Sequence, residues 1–209
     1  MASVTRRARP GNDADIALSM EERLQQALER LLARGLTITA ISIDALAREA
    51  GIARATFYLH FRDKGELIAR LIARVEDEVV GAGGLWFVHA EDARFEDLRA
   101  AMARFFEAYM KHHAILAAAA ETAPYDRQVA ALHKRMLERF VGESSQAVKR
   151  IAASGRAHAE LPTMVAAVLS WAVNHTYVQY GKDLDSAQRE AFIDTWTHVV
   201  WHAIFATKN

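Results

Sequence analysis

Ser42-Ile43-Asp44-Ala45-Leu46-Ala47-Arg48-Glu49-Ala50-Gly51-Ile52-Ala53-Arg54-Ala55-Thr56-Phe57-Tyr58-Leu59-His60-Phe61-Arg62-Asp63-Lys64 reads as helix, glycine turn, helix. Ser42 fits an N-cap, its hydroxyl meeting an orphan backbone donor. Ile43, Leu46, Ala47 and Ala50 then recur at helical spacing on one face. Gly51 follows as a residue that can take positive φ after a helix end. Ile52, Phe57 and Phe61 can bury the second helix against the first. Arg54, Ala55, Thr56, Tyr58, Leu59 and His60 then surround its outer side.

A short helix with so polar an outer side suits presentation to the major groove of DNA. Arg54 can bond a guanine edge bidentately, and Thr56 a base or a phosphate. Ala55 permits close approach, and Ala55 or Leu59 can touch a thymine methyl. Tyr58, His60 and Lys64 suit phosphate anchoring, which sets register rather than sequence. On spacing alone, a structural helical hairpin with a solvated face fits the same residues.

Ala47-Arg48-Glu49-Ala50-Gly51-Ile52, then Thr56-Phe57-Tyr58, Phe61, Lys64 and Glu66-Leu67, resemble the N-terminal signature of TetR-family transcriptional regulators over roughly residues 20–80. The resemblance implies an all-α fold: a three-helix DNA-binding head with a helix-turn-helix, joined to a larger helical ligand-binding and dimerising body, about nine helices in all. It implies DNA contacts at Ser42, Arg54, Ala55, Thr56, Tyr58, His60 and Lys64. The chain departs from the family pattern in four places. Ala53 stands where a capping Ser or Thr is usual. Arg62 replaces a proline and offers a phosphate contact. Gly65 replaces an acidic residue. The loop Leu36-Thr37-Ile38-Thr39-Ala40-Ile41 is slightly longer than is common.

A chain of 209 residues can hold two helical subdomains with a sizeable core. With 3 prolines and 10 glycines, and an Ala/Leu/Glu/Arg-rich composition, an all-α fold is favoured over any sheet. The 26 basic and 26 acidic residues cancel, so no global charge draws the chain to DNA. Residues 1–64 nevertheless carry ten Lys/Arg against eight Asp/Glu, a modest local excess that suits a DNA face. The absence of cysteine excludes disulfides and thiolate chemistry. With no apolar leader and no long apolar run, a soluble cytoplasmic protein is expected.

The chain divides into a flexible basic arm at 1–18, a helix-turn-helix domain at 19–65 and a ligand-binding and dimerisation domain at 66–209. Arg6-Arg7-Ala8-Arg9 reads equally as a DNA-lying arm or a solvated tail. Ser19 with Glu22 predicts a capping box for a first helix running to Arg34. Asp63 predicts the cap of a fourth helix, broken at Gly81-Ala82-Gly83-Gly84. Five more helices are predicted at about 95–111, 114–122, 126–154, 162–180 and 186–207, the fourth of these started by Pro162. The last two are apolar nearly all round and need a partner surface. The resemblance implies that they pair with the same helices of a second copy, making a homodimer suited to a palindromic operator.

In the body, Met102, Phe105 and Tyr109 share a face with Leu98, Leu137 and Phe140 lie within a turn, and Trp171 and Asn174 are three apart. An amide on an apolar face needs a hydrogen bond, so Asn174 either meets a ligand or satisfies a neighbouring group. Phe105-Phe106-Glu107, Asn174 and Asp194-Thr195 with His198 look like the body of the mycobacterial ethionamide-activation repressor subgroup. That likeness implies a pocket lined by Met102, Phe105, Tyr109, Leu137, Phe140, Trp171 and Asn174. The expected function is a repressor bound to double-stranded DNA as a dimer and released by a small, elongated, apolar effector. No cofactor and no membrane partner is implied. The alternative is a metal-binding or enzymatic helical dimer using His198 and His202, with Asp194 as third ligand. No phosphate loop, nucleophile elbow or His-Glu-x-x-His pattern supports it.

Overall fold

Local capping and apolar spacing set the helix boundaries. In a computed structural model of the chain, residues 12–206 are described, with side chains from residue 20 onward. The helices are α1 (Asn12–Ala33), α2 (Ile43–Glu49), α3 (Arg54–His60), α4 (Lys64–Gly81), α5 (Leu85–Val88), α6 (Phe95–Lys111), α7 (His113–Thr122), α8 (Arg127–Ala153), α9 (Val165–Tyr180) and α10 (Ser186–Ile204). No β-strand occurs among the described residues. A single antiparallel bridge joins Ala157 to Phe205, just past the end of α10.

Side-chain caps stand where the sequence places them on α2 and α4, and a further one starts α8. Ser42 accepts from the Ala45 amide, Asp63 from Glu66, and Asp126 from Gln128 and Val129. Gly51 has φ +67°, a backbone open to glycine at little cost, and it turns α2 into α3. Ala53 makes no side-chain cap bond, as its methyl dictates.

Three boundaries differ from the sequence reading. α1 begins at Asn12, so Ser19 lies inside a helix rather than capping one. Of the proposed arm, residues 12–18 belong to α1 and 1–11 fall outside the described residues. α9 starts at Val165, and Pro162 lies ahead of it. α10 ends at Ile204, where the His158 amide donates to the Ile204 carbonyl and the Ala206 amide to Arg156. The short α5 was not anticipated.

The head core joins Leu24, Leu28, Leu46, Phe57 and Phe61, all nearly inaccessible. Arg23 ties α1 to the turn by donating to the carbonyls of Ala50 (2.9 Å) and Gly51 (2.7 Å). Glu49 receives Arg30 of α1 and Arg34 just past its end. α4 leaves the head and packs along α7 and α8. There the buried Glu76 takes Arg135 at 2.6 Å and Arg139 at 2.8 Å. Burial alone would raise this carboxyl's pKa, but the two guanidiniums outweigh it and hold it below its ordinary value.

Candidate nucleic-acid interface and body cavity

Phe57 and Phe61 turn one side of α3 inward, which fixes what the other side shows. Arg54, Ala55, Tyr58 and Leu59 are exposed, with Thr56 and His60 half-buried. Leu59 is 81 % exposed, a large apolar side chain left bare on a surface helix. Arg54 is held by Asp44 at 2.8 Å and lies over the Tyr58 ring, 5.5 Å from its centroid. Asp44 is the leading cause that raises the Arg54 pKa, so the guanidinium carries its full charge. Ser42 is exposed at the start of α2.

Lys64 is placed differently from the phosphate anchor expected. Its ammonium donates to the carbonyls of Ile41 at 2.5 Å and Ile38 at 2.8 Å, with Thr39 at 3.4 Å. Those acceptors occupy all three of its protons. Burial lowers its pKa, opposed by attraction to Glu121. Glu121 itself, on α7, accepts from the amides of Ile38 and Thr39, both at 3.0 Å, and from the Thr39 hydroxyl. The lengthened loop is thus pinned to α4 and to the body at once.

The other departures have local reasons. At Gly65 an added Cβ would run into the Asp126 carboxylate, which caps α8 beside it. An acidic residue there would also bring like charge against Asp126. Arg62 is exposed and pairs with its neighbour Asp63 at 3.0 Å.

The body holds an apolar cavity of about 40 Å³ between α5, α6, α8, α9 and α10. Met102, Phe105 and Phe140 line it, as the sequence suggested. Trp86, Phe87, Leu169, Val173, Val200 and Ile204 line it as well and were missed. Phe87 of α5 closes one side, with ring centroids 5.6 Å from Phe105 and 5.8 Å from Phe140. The apolar run Leu85-Trp86-Phe87-Val88 was the available signal.

Four of the expected lining residues sit elsewhere. Trp171 is 55 % exposed, on the outer face of α9. Leu137 is buried but does not border the cavity. Asn174 donates to the Tyr109 hydroxyl, and both are buried. The two polar groups satisfy each other, so the amide is a core amide. Desolvation pushes the Tyr109 pKa far up, which keeps the hydroxyl neutral. Tyr177 stands edge-on to Tyr109 and donates to the Met102 carbonyl at 3.2 Å.

On α9 and α10, Met164, Val168, Trp171 and Val199 are exposed together with His175, His198 and His202. The rings of His198 and His202 lie 4.2 Å apart. Asp194, the suggested third ligand, is taken by Arg99 at 2.7 Å. Among the described residues, no group of three or more His, Asp or Glu side chains could hold a metal ion. No helix among them is long and apolar enough to cross a membrane.

Known proteins match this architecture along the chain. The profile of bacterial regulatory proteins of the tetR family matches residues 24–71, and that of the transcriptional regulator EthR C-terminal domain matches residues 98–206. The HTH-type transcriptional regulator EthR of Mycobacterium tuberculosis is 27 % identical over 93 % of this chain and 88 % of its own. The TetR regulator PfmR of Thermus thermophilus superposes with a TM-score of 0.71 at 16 % identity, over 86 % of this chain and 97 % of its own. The ketosteroid transcriptional regulator KstR2 of M. tuberculosis gives 0.68 at 18 %, over 97 % and 100 %. These two share the fold. The head built around α2 and α3 and the EthR-type body together make this chain a member of the TetR family of bacterial transcriptional regulators.

Proposed function

We propose that the protein is a cytoplasmic repressor that binds a palindromic operator as a homodimer and leaves it when an elongated, mostly apolar molecule enters the body. The observation that carries the DNA half is the outer face of α3. Arg54, Ala55, Tyr58 and Leu59 are exposed there, with Thr56 and His60 half-buried beside them. Arg54 reads a base edge, Ala55 and Leu59 touch thymine methyls, and Ser42, Tyr58 and His60 contact phosphates. Lys64 has the separate task of fixing the loop that carries Ser42.

The exposed apolar stripe on α9 and α10 supports the dimer. A bare Met164, Val168, Trp171 and Val199 cost apolar hydration until a second copy covers them. Two heads related by twofold symmetry then meet two half-sites one helical turn apart.

The cavity supports the effector. At about 40 Å³ it holds only a few waters, so an effector has to widen it. Widening displaces Phe87 on α5, which the three-residue link Ala82-Gly83-Gly84 joins to α4. An effector that favours the displaced α5 shifts α4, and the heads with it, away from operator spacing.

The test is selection of bound duplexes from a random pool, followed by anisotropy with and without apolar ligands. A twofold-symmetric site whose binding falls steeply with salt is expected. Recovery of no preferred duplex would overturn the reading.

A further inference from the structure

The cavity wall is apolar except at a few points, and two of those are hydroxyls: Ser144 on α8 and Ser170 on α9. Ser170 is 95 % buried (5 % exposed), and Ser144 half-buried. Other hydroxyls of these helices are spent locally. Ser145 donates to the Val141 carbonyl at 2.7 Å, Thr176 to Ala172 at 2.8 Å, and Thr197 on α10 to Ile193 at 2.8 Å. Ser170 makes no such bond among the described residues. The amide one turn along α9 is spent too, since Asn174 is committed to Tyr109.

We propose that Ser170, assisted by Ser144, is the specificity-determining hydrogen-bond site of this cavity. The effector class is then an alkyl or alicyclic molecule bearing one hydrogen-bond acceptor, a ketone or amide carbonyl. This rests on the cavity being the effector site.

The physical reason is asymmetric. A hydroxyl at the wall of this apolar cavity meets at most the few waters the cavity holds, and an entering ligand displaces them. A ligand carbonyl restores the bond, whereas a wholly apolar ligand leaves the hydroxyl unpaired. Charge is disfavoured because the lining offers no ionisable group to meet it. The acceptor has to lie beside α9, with the apolar remainder running toward Phe87, Phe105 and Phe140.

The experiment uses the full-length protein and two probes of similar length, 2-octanone and 1-chloroheptane. Trp86, in the cavity wall, reports binding by its fluorescence. The wild type should prefer the ketone by about five- to tenfold, the usual worth of one net hydrogen bond. Ser170→Ala removes one oxygen, and alanine is the best helix former, so the fold is kept. That variant should bind both probes within about twofold of each other. Ser144→Ala should lose part of the preference. Asn174→Ala should keep it. If wild type binds the two probes alike, or the preference survives both serine changes, the serine assignment is wrong while the cavity reading stands. If neither probe binds, the cavity reading fails and this inference fails with it.

Discussion

The Arg54 guanidinium sits 2.8 Å from the Asp44 carboxylate, so the residue best suited to read a base is tethered to the preceding helix. Both side chains are well exposed, and the pair contributes little to stability. Its effect is on DNA. A base edge has to compete with Asp44 for the same donors. Arg54→Ala should cost about 1–3 kcal/mol at one base pair and relax preference there. Asp44→Asn should tighten binding to operator and to random duplex alike. Anisotropy on both duplexes separates the two. A loss of operator affinity in Asp44→Asn equal to that of Arg54→Ala would mean that Asp44 aims the guanidinium rather than competing for it.

Lys64 gives a second test. Its ammonium is occupied by loop carbonyls, so Lys64→Met removes a loop staple and no phosphate contact. Thermal stability should fall. The slope of log affinity against log salt should stay as in wild type, whereas loss of a true phosphate contact would flatten it by about one unit.

The dimer face predicts opposite results at neighbouring positions. Val199 and Trp171 are exposed in the chain, and Val200 is buried against the cavity. Val199→Glu or Trp171→Glu should give a folded monomer by light scattering, with operator binding lost. Val200→Glu should unfold the body, because it buries an unpaired charge. A stable wild-type monomer at micromolar concentration would end the dimer reading.

Glu76 sets a pH dependence. Its folded pKa lies below the ordinary carboxylate value, because Arg135 and Arg139 outweigh its burial. Its contribution is therefore present above the unfolded pKa and lost as pH falls through the folded one, below about pH 4. Glu76→Gln should cost about 1–2 kcal/mol at neutral pH, less than a fully buried pair because both arginines are half exposed. The gap from wild type should close in acid. A gap that does not narrow as the pH is lowered through the acid range would assign the loss to packing.

The sequence was read well where local chemistry decides. α6 runs from Phe95 to Lys111 as its apolar spacing predicts, and Ser42 and Asp63 cap the helices they precede. It was read poorly where a helix is apolar on every side. On α9, spacing made Trp171 and Asn174 look like one face, yet one is exposed and the other buried. Periodicity cannot say which side of such a helix meets its own core and which awaits a second copy. α5 spans four residues, little more than one turn, and leaves no period to detect. Glu76 and Arg139 are far apart in sequence, and nothing local announces their pairing.

The closed aromatic contact of Phe87, Phe105 and Phe140 bears on dose as well as on shape. If the widened cavity is a minor population in the free protein, every effector's apparent dissociation constant is its intrinsic one divided by that fraction. Sensitivity can then be tuned through the closed state, with the hydrogen-bonding groups of the cavity left as they are. Trimming Phe87 to leucine would raise the open fraction and so lower the threshold concentration by a factor common to all effectors, on top of each one's own change in contact with that side chain. A regulator built this way carries its threshold in a four-residue helix, separate from its selectivity.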